Sequence, residues 1–242
     1  MNSKLLSLGI TLGITLGITG AALALSAAAL PHAGGWAVVK VRKVPDAWIA
    51  GRPLQLAWEV RQHGVTPLDG LEPRLEARRG TRVVTGTTSA QGTGYRGRIT
   101  FPEPGEWQVT IHSGFGRSRA VLVPWRVVDS VTAVRTTVEA HLATLGVAPL
   151  AEAERGRRAF AALGCVTCHA HREVGITGEV ADFGGDLAAR RFAAEYLARY
   201  LADPSIKPAS NGRRMPNLAL REHEIGALVA FLSAERRVTM HR

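Results

Sequence analysis

The sequence predicts a three-part chain: a transmembrane helix at the N-terminus, an all-β sandwich in the middle and an all-α domain at the C-terminus. Three observations predict it. Residues 5–30 carry no charge. Residues 36–128 are short β-branched runs broken by Gly and Pro. After Leu150 the apolar residues recur at spacings of three and four. The boundaries that follow are 1–33 for a membrane anchor or signal sequence, 34–128 for the sandwich, 129–150 for a linker and 151–242 for the α domain.

The N-terminal element comes first. Its 26 uncharged residues exceed the roughly 7–15 of a cleavable signal core and suit the roughly 20 that span a bilayer. Lys4 and the amino terminus then stay inside, and the bulk of the chain lies on the periplasmic face of a bacterial cytoplasmic membrane. Small-residue cleavage sites at Ala22-Leu23-Ala24 and at 26–29 leave removal open. Within the segment LGIT occurs three times in tandem, which spaces Gly9, Gly13 and Gly17 by four. Such a stripe lets a second membrane helix approach closely.

The sandwich is read from candidate strands at 37–44, 54–61, 74–78, 82–87, 95–101, 107–112 and 120–127, with turns at 64–70, 92–94 and 102–105. Alternation is clearest in LQLAWEV from Leu54 and in WQVTI from Trp107. About seven strands at this spacing argue an antiparallel sandwich. The stretch GYRGRITFPEPGEWQVTI resembles the late strands of the immunoglobulin-like periplasmic modules known as YtkA-like or FixH-like. Some extracytoplasmic sandwiches bind copper through imidazole or sulfur. Here residues 36–128 offer only His63 and His112, without Met or Cys, a poor set for copper.

A helix over 130–145 and a break at Gly146–Pro149 are expected in the linker, then helices over 151–163, 188–202 and 222–235. The net charge of +10 is spread thinly, 15 basic against 9 acidic residues over 31–150 and 14 against 11 over 151–242. No dense basic cluster is interleaved with aromatics, so nucleic acid is not an expected partner. The charge better suits steering toward an acidic protein or an anionic membrane face.

The chemistry concentrates at GCVTCHAH, residues 164–171, which holds the only two cysteines, Cys165 and Cys168. A CxxCH places two thiols one turn apart with an imidazole beside them. The thiols can add to two vinyl groups as thioethers while His169 reaches the iron, so the motif reads as covalent haem c attachment. A thioredoxin-type pair would follow a strand in a βαβ unit, whereas an amphipathic helix precedes this one. Structural zinc would want a second pair of ligands. A disulfide closing so short a loop would stabilise little.

Further residues carry a family resemblance over 151–235. Gly156, Phe160, the CxxCH, Gly184-Gly185-Asp186-Leu187, Tyr196-Leu197, Pro204, Pro208, Met215-Pro216-Asn217-Leu218 and Phe231-Leu232 stand in an order similar to class I c-type cytochromes. The resemblance implies an all-α cytochrome c domain in which Gly156 and Phe160 pack against Val229, Phe231 and Leu232. It also implies Leu187 as the haem-packing leucine.

Of the methionines, Met1 lies across the membrane or is removed, and Met240 sits in a charged tail. Met215 is held out of helix by the following proline, and thioether opposite imidazole is the usual pairing. The metal ligands expected are therefore His169 and Met215. His171 is expected exposed or near a propionate, His223 on a helix surface, and His141 and His241 solvated. Arg190, Arg191, Lys207, Arg213 and Arg214 are the propionate candidates. One departure stands out. The family holds the proximal imidazole with the carbonyl of a Gly-Pro pair, and Gly185 stands in the proline position, which predicts a looser loop.

His/Met ligation would leave no open position on the iron, so the chain is expected to pass single electrons and not to be an enzyme. One CxxCH excludes a two-haem peroxidase. Partners would be redox proteins, among them a respiratory or photosynthetic membrane complex, with the sandwich as spacer or docking surface. Two other readings are a fixed haem c subunit of a larger oxidoreductase, and a ligand- or metal-binding sandwich with haem as redox sensor.

Overall fold

A computed structural model describes residues 35–129, 150–176, 178–208 and 214–234. Two sheets are built from eleven strands, beginning with β1 (Ala37–Val41), β2 (Trp48–Ile49), β3 (Pro53–Gln62), β4 (Thr66–Pro67), β5 (Arg74–Arg79) and β6 (Arg82–Thr85). They continue with β7 (Thr87–Gln91), β8 (Gly94–Thr100), β9 (Gly105–His112), β10 (Arg119–Val121) and β11 (Trp125–Val128). One sheet runs β1-β3-β8-β7 with β4 beside β3; the other runs β2-β11-β9-β5-β6 with β10 beside β9. Pairing is antiparallel except between β2 and β11.

The period-2 pattern explains the core between the sheets. Along β3, Leu54, Leu56, Trp58 and Val60 point inward and are buried, and along β9 Trp107, Val109 and Ile111 do the same. Trp58, Trp107 and Trp125 are all fully enclosed. Each such side chain contributes about 2 kcal/mol or more from apolar burial.

Three expected strands come out altered, one cut short and two divided. The run 37–44 ends at Val41, and the next strand, β2, starts beyond Pro45, which cannot donate to a ladder. The run 82–87 splits at Gly86: β6 pairs with β5 in one sheet and β7 with β8 in the other. A Cβ at Gly86 would stand 2.6 Å from the Arg98 carbonyl oxygen, so only glycine fits the crossing between sheets. The run 120–127 breaks at Leu122–Pro124 into β10 and β11.

The three-part fold class predicted from sequence is corrected by the structure. The described chain is mostly β-sheet, and its α-helices are α1 (Glu152–Ala162), α2 (Ala194–Ala202) and α3 (Glu222–Leu232), of 11, 9 and 11 residues. No long all-α cytochrome domain is present among the described residues. The stretch between α1 and α2 is held by two 3₁₀ turns, Cys165–Thr167 and Ala181–Phe183, and by a parallel pair of short strands, β12 (His169–Ala170) and β13 (Gly185–Asp186). The expected helix 188–202 starts only at Ala194. Ahead of it Asp186 Oδ1 accepts the Ala188 N–H at 2.7 Å, and the Arg190 N–H donates to the Leu187 carbonyl, which sets a turn where the periodicity read helix.

The transmembrane expectation is corrected likewise: no helix among the described residues is long and apolar enough to cross a membrane. Residues 5–30, with the glycine stripe, and the expected linker helix 130–145 lie outside the described residues.

The sandwich and the helical part belong to one compact unit, His32–Arg242. Helices α1 and α3 cross so closely that a Cβ on Gly156 would lie 1.9 Å from the Ala227 carbonyl oxygen and 2.6 Å from Phe231 Cβ. Phe160 meets Phe231 edge-on with ring centroids 6.0 Å apart. Of the expected partners, Phe231 meets both Gly156 and Phe160, and Ala227, which was not among them, stands at the crossing itself.

Candidate functional site

Helix α1 ends at Gly164, whose φ of 85° is the left-handed conformation that closes a helix, and the chain turns at once into the Cys165–Thr167 3₁₀ turn. This fixes both thiols. Cys165 is buried, Cys168 half-buried, and neither is in a disulfide. Burial pushes the Cys165 thiol up to about 12 and the Cys168 thiol up to about 11, so both are neutral at pH 7.

His169 follows on β12, opposite Gly185 of β13, and Leu187 N–H donates to the Ala170 carbonyl at 3.0 Å. The imidazole lies flat against Gly184, where a Cβ would be 2.1 Å from both Cε1 and Nδ1. Burial lowers the His169 pKa, while backbone hydrogen bonding at Gly184 and Gly185 opposes the shift. Burial thus favours the neutral ring, the form a ligating imidazole takes. Nδ1 is buried and has no partner of good hydrogen-bond geometry. It faces the Gly184–Gly185 backbone.

Gly185 adopts φ 69°, which proline cannot. The departure from Gly-Pro is thus built into the backbone. The sequence predicted a looser loop, and the pairing of β12 with β13 ties that loop to His169 instead. Arg190 lies over this side, its Nη2 3.5 Å from where a Gly185 Cβ would be. Leu187 is buried in a second core with Phe160, Cys165, Val166, Val174, Leu197, Leu201, Leu228 and Phe231, and Met215 packs against the same cluster. Cys165, Cys168, His169, Gly185 and Leu187 therefore come together locally, and Met215 joins them through the shared core.

Two sequence readings change here. His171 is 2% exposed, its ring 4.4 Å from Phe231 and 5.8 Å from Phe160, so it is a core histidine wedged between α1 and α3. The expected metal-binding centre is corrected in one respect: no group of three or more His, Cys, Asp or Glu that could hold a metal ion exists among the described residues. Arg213 lies outside the described residues, while Arg191, Lys207 and Arg214 are exposed, as is His223 at the start of α3.

Sequence reasoning missed how much the sandwich touches this site. Val38 of β1 stands where a Gly164 Cβ would come within 2.3 Å. Trp36 meets Phe183, just before Gly184, with centroids 6.1 Å apart. Ser118 donates to Glu179 at 2.8 Å, and Asp46 accepts from Arg155 at 2.7 Å while its carbonyl accepts from Arg158 at 2.7 Å. No signal in one sequence marks such pairs, because the residues are far apart along the chain.

No family model and no curated protein matches this chain. Among solved structures it is similar to domains 4 and 5 of the S-layer protein SbsC, at 18% identity and a TM-score of 0.31, over 38% of this chain and 51% of that one. The chain thus spans about half of that structure, and a likeness this low carries no argument about fold or function.

Proposed function

We propose that this chain binds one haem c through Cys165 and Cys168 and passes single electrons between protein partners outside the cytoplasm. The observation that carries the reading is local. Two unpaired thiols bracket one 3₁₀ turn, Cys165 opening it and Cys168 capping it, and the next residue presents an imidazole held against Gly184 and Gly185. Each thiol would add its S and H across one vinyl double bond, forming a thioether with no oxidant or reductant consumed. The bound group would supply a one-electron iron couple.

This chain's own residues would do the rest. The β12–β13 pair orients His169, Leu187 and the second core exclude water, and Met215 offers a thioether from the loop ahead of α3. A haem would bring most of its own iron ligands, so the protein would need to supply only two, His169 and Met215, a smaller demand than a three-residue metal cluster. The uncharged N-terminal segment supports export, and the positive charge supports acidic redox partners.

Expression in a host that attaches haem c should add one haem mass that survives denaturation, and Cys165→Ala with Cys168→Ala should abolish it. A protein that matures without covalent haem would overturn the reading. Met215→Ala should remove the weak near-infrared absorption of a ferric iron–thioether bond; persistence of that band would exclude Met215 as ligand.

A further inference from the structure

We propose that Lys40, on β1 of the sandwich, is a positioning residue that clamps the Met215 segment in place, making the sandwich part of the redox site's framework rather than a spacer. The inference rests on the reading of Met215 given above, but the clamp is visible without it. Lys40 Nζ donates to the carbonyl oxygens of Leu218 at 2.5 Å and Ala219 at 2.9 Å, two successive residues of the loop between Met215 and α3.

That loop has no secondary structure of its own to hold it. Residues 214–221 form no helix or strand, and Ala219 takes φ 49°, a conformation non-glycine residues rarely adopt. Its side-chain contacts include the Asn217 Oδ1 bond to the Ala219 N–H at 2.8 Å. A cation shared by two carbonyls is a charge-assisted contact, stronger than a neutral one. Lys40 is half-buried between Glu59 of the sandwich and Glu224 of α3. Burial lowers its pKa, Glu224 and Glu59 oppose the shift, and Arg61 and Arg221 add to it.

Three neighbours point the same way. The β3–β4 turn brings Gly64 against Pro216, the residue after Met215, with room for no side chain: a Cβ there would be 2.6 Å from Pro216 Cγ. Arg221, at the end of the loop, donates to the Arg42 carbonyl, two residues along from Lys40. Leu218 itself is buried. One edge of the sandwich therefore grips the loop at Pro216, at Leu218–Ala219 and at Arg221.

The test compares wild type, Lys40→Met, which keeps the aliphatic stem, and Lys40→Arg, which keeps the charge, all as haem-loaded full chains. Amide exchange in 214–220 should quicken about tenfold or more in Lys40→Met, the cost of a lost charge-assisted bond. Exchange in β3 and β9 should stay unchanged, and Lys40→Arg should recover part of the protection. The near-infrared ferric band should fade at lower temperature in Lys40→Met than in wild type. Unchanged exchange at 214–220 in Lys40→Met overturns the clamp. Quicker exchange throughout, equal in β9 and the loop, also overturns it, since Lys40 would then be a general stability residue. If Met215→Ala keeps the band while Lys40→Met still loosens 214–220, the clamp stands and the ligand assignment falls.

Discussion

The sandwich and the helical part bury their cores in different ways. The sandwich closes a single large core with Trp58, Trp107, Trp125, Tyr95 and Phe101, stitched by long antiparallel ladders. The helical part has helices of 9 to 11 residues, and its core includes a thiol, a histidine beside Phe231 and one residue borrowed from the sandwich, Val123. Ala162 of α1 is in turn counted in the sandwich core. Helices this short are marginal alone, so their stability must come from packing. The region that holds the candidate site is the one whose helices depend on packing.

The sharpest way to break this comparison is at the α1–α3 crossing. Gly156→Ala puts a methyl 1.9 Å from a backbone carbonyl, which cannot swing aside as a side chain would. The helices must part, at about 2–3 kcal/mol. Four of the five tryptophans, Trp48, Trp58, Trp107 and Trp125, lie in sandwich strands, while Trp36 touches Phe183 of the helical part, so in a Trp36→Phe background the fluorescence reports the sandwich. Urea titrations of Gly156→Ala should show helical circular dichroism lost early while tryptophan fluorescence keeps its wild-type midpoint. If both signals shift together, the two parts are one cooperative unit and the dependence runs both ways.

That asymmetry also decides what was legible in the sequence. The strands of the sandwich announce themselves, because Leu54, Leu56, Trp58 and Val60 alternate with polar residues and one face is buried. The polar strand β7, TTSAQ, gives no such signal, since only Thr88 is even half-buried. The CxxCH is legible because its chemistry lies within five residues. His171 reads as exposed or near a propionate, whereas the fold seats it against Phe160 and Phe231, partners 11 and 60 residues away that its own position in the motif does not announce. Lys40 could not be found at all: its partners are backbone oxygens 178 and 179 residues away, and backbone oxygens have no sequence identity.

A smaller effect separates the family expectation from the structure at Gly185. Placing proline there restores the Gly-Pro pair of the resembling cytochromes and, from sequence alone, should tighten the loop. With φ at 69° it should do the reverse, costing about 2 kcal/mol and unpairing β13 from β12. The measurement is the helical unfolding midpoint of Gly185→Pro against wild type. A rise would mean that the loop can take the proline conformation and that the left-handed turn is not what holds His169.

The smallest expected effect is electrostatic. Glu154 and Glu224 both lie in the helical part. Burial alone would raise each carboxyl, but hydrogen bonds from Arg157 and Arg158 to Glu154, and from Arg221 to Glu224, outweigh it and hold both below their ordinary value of 4.5. A carboxyl whose folded pKa is depressed contributes stability that is fully present above its unfolded pKa and is lost as pH falls through the folded one. Both pairs are partly exposed, so solvent screening keeps each to about 1 kcal/mol or less. Between pH 6 and pH 3 the helical signal should therefore weaken below about pH 4.5, while tryptophan fluorescence holds. Glu154→Gln should flatten that decline, and 1 M salt should flatten it further. A wild-type acid response identical in both signals would mean that the two parts unfold as one unit, and that the helical part is not the weaker partner.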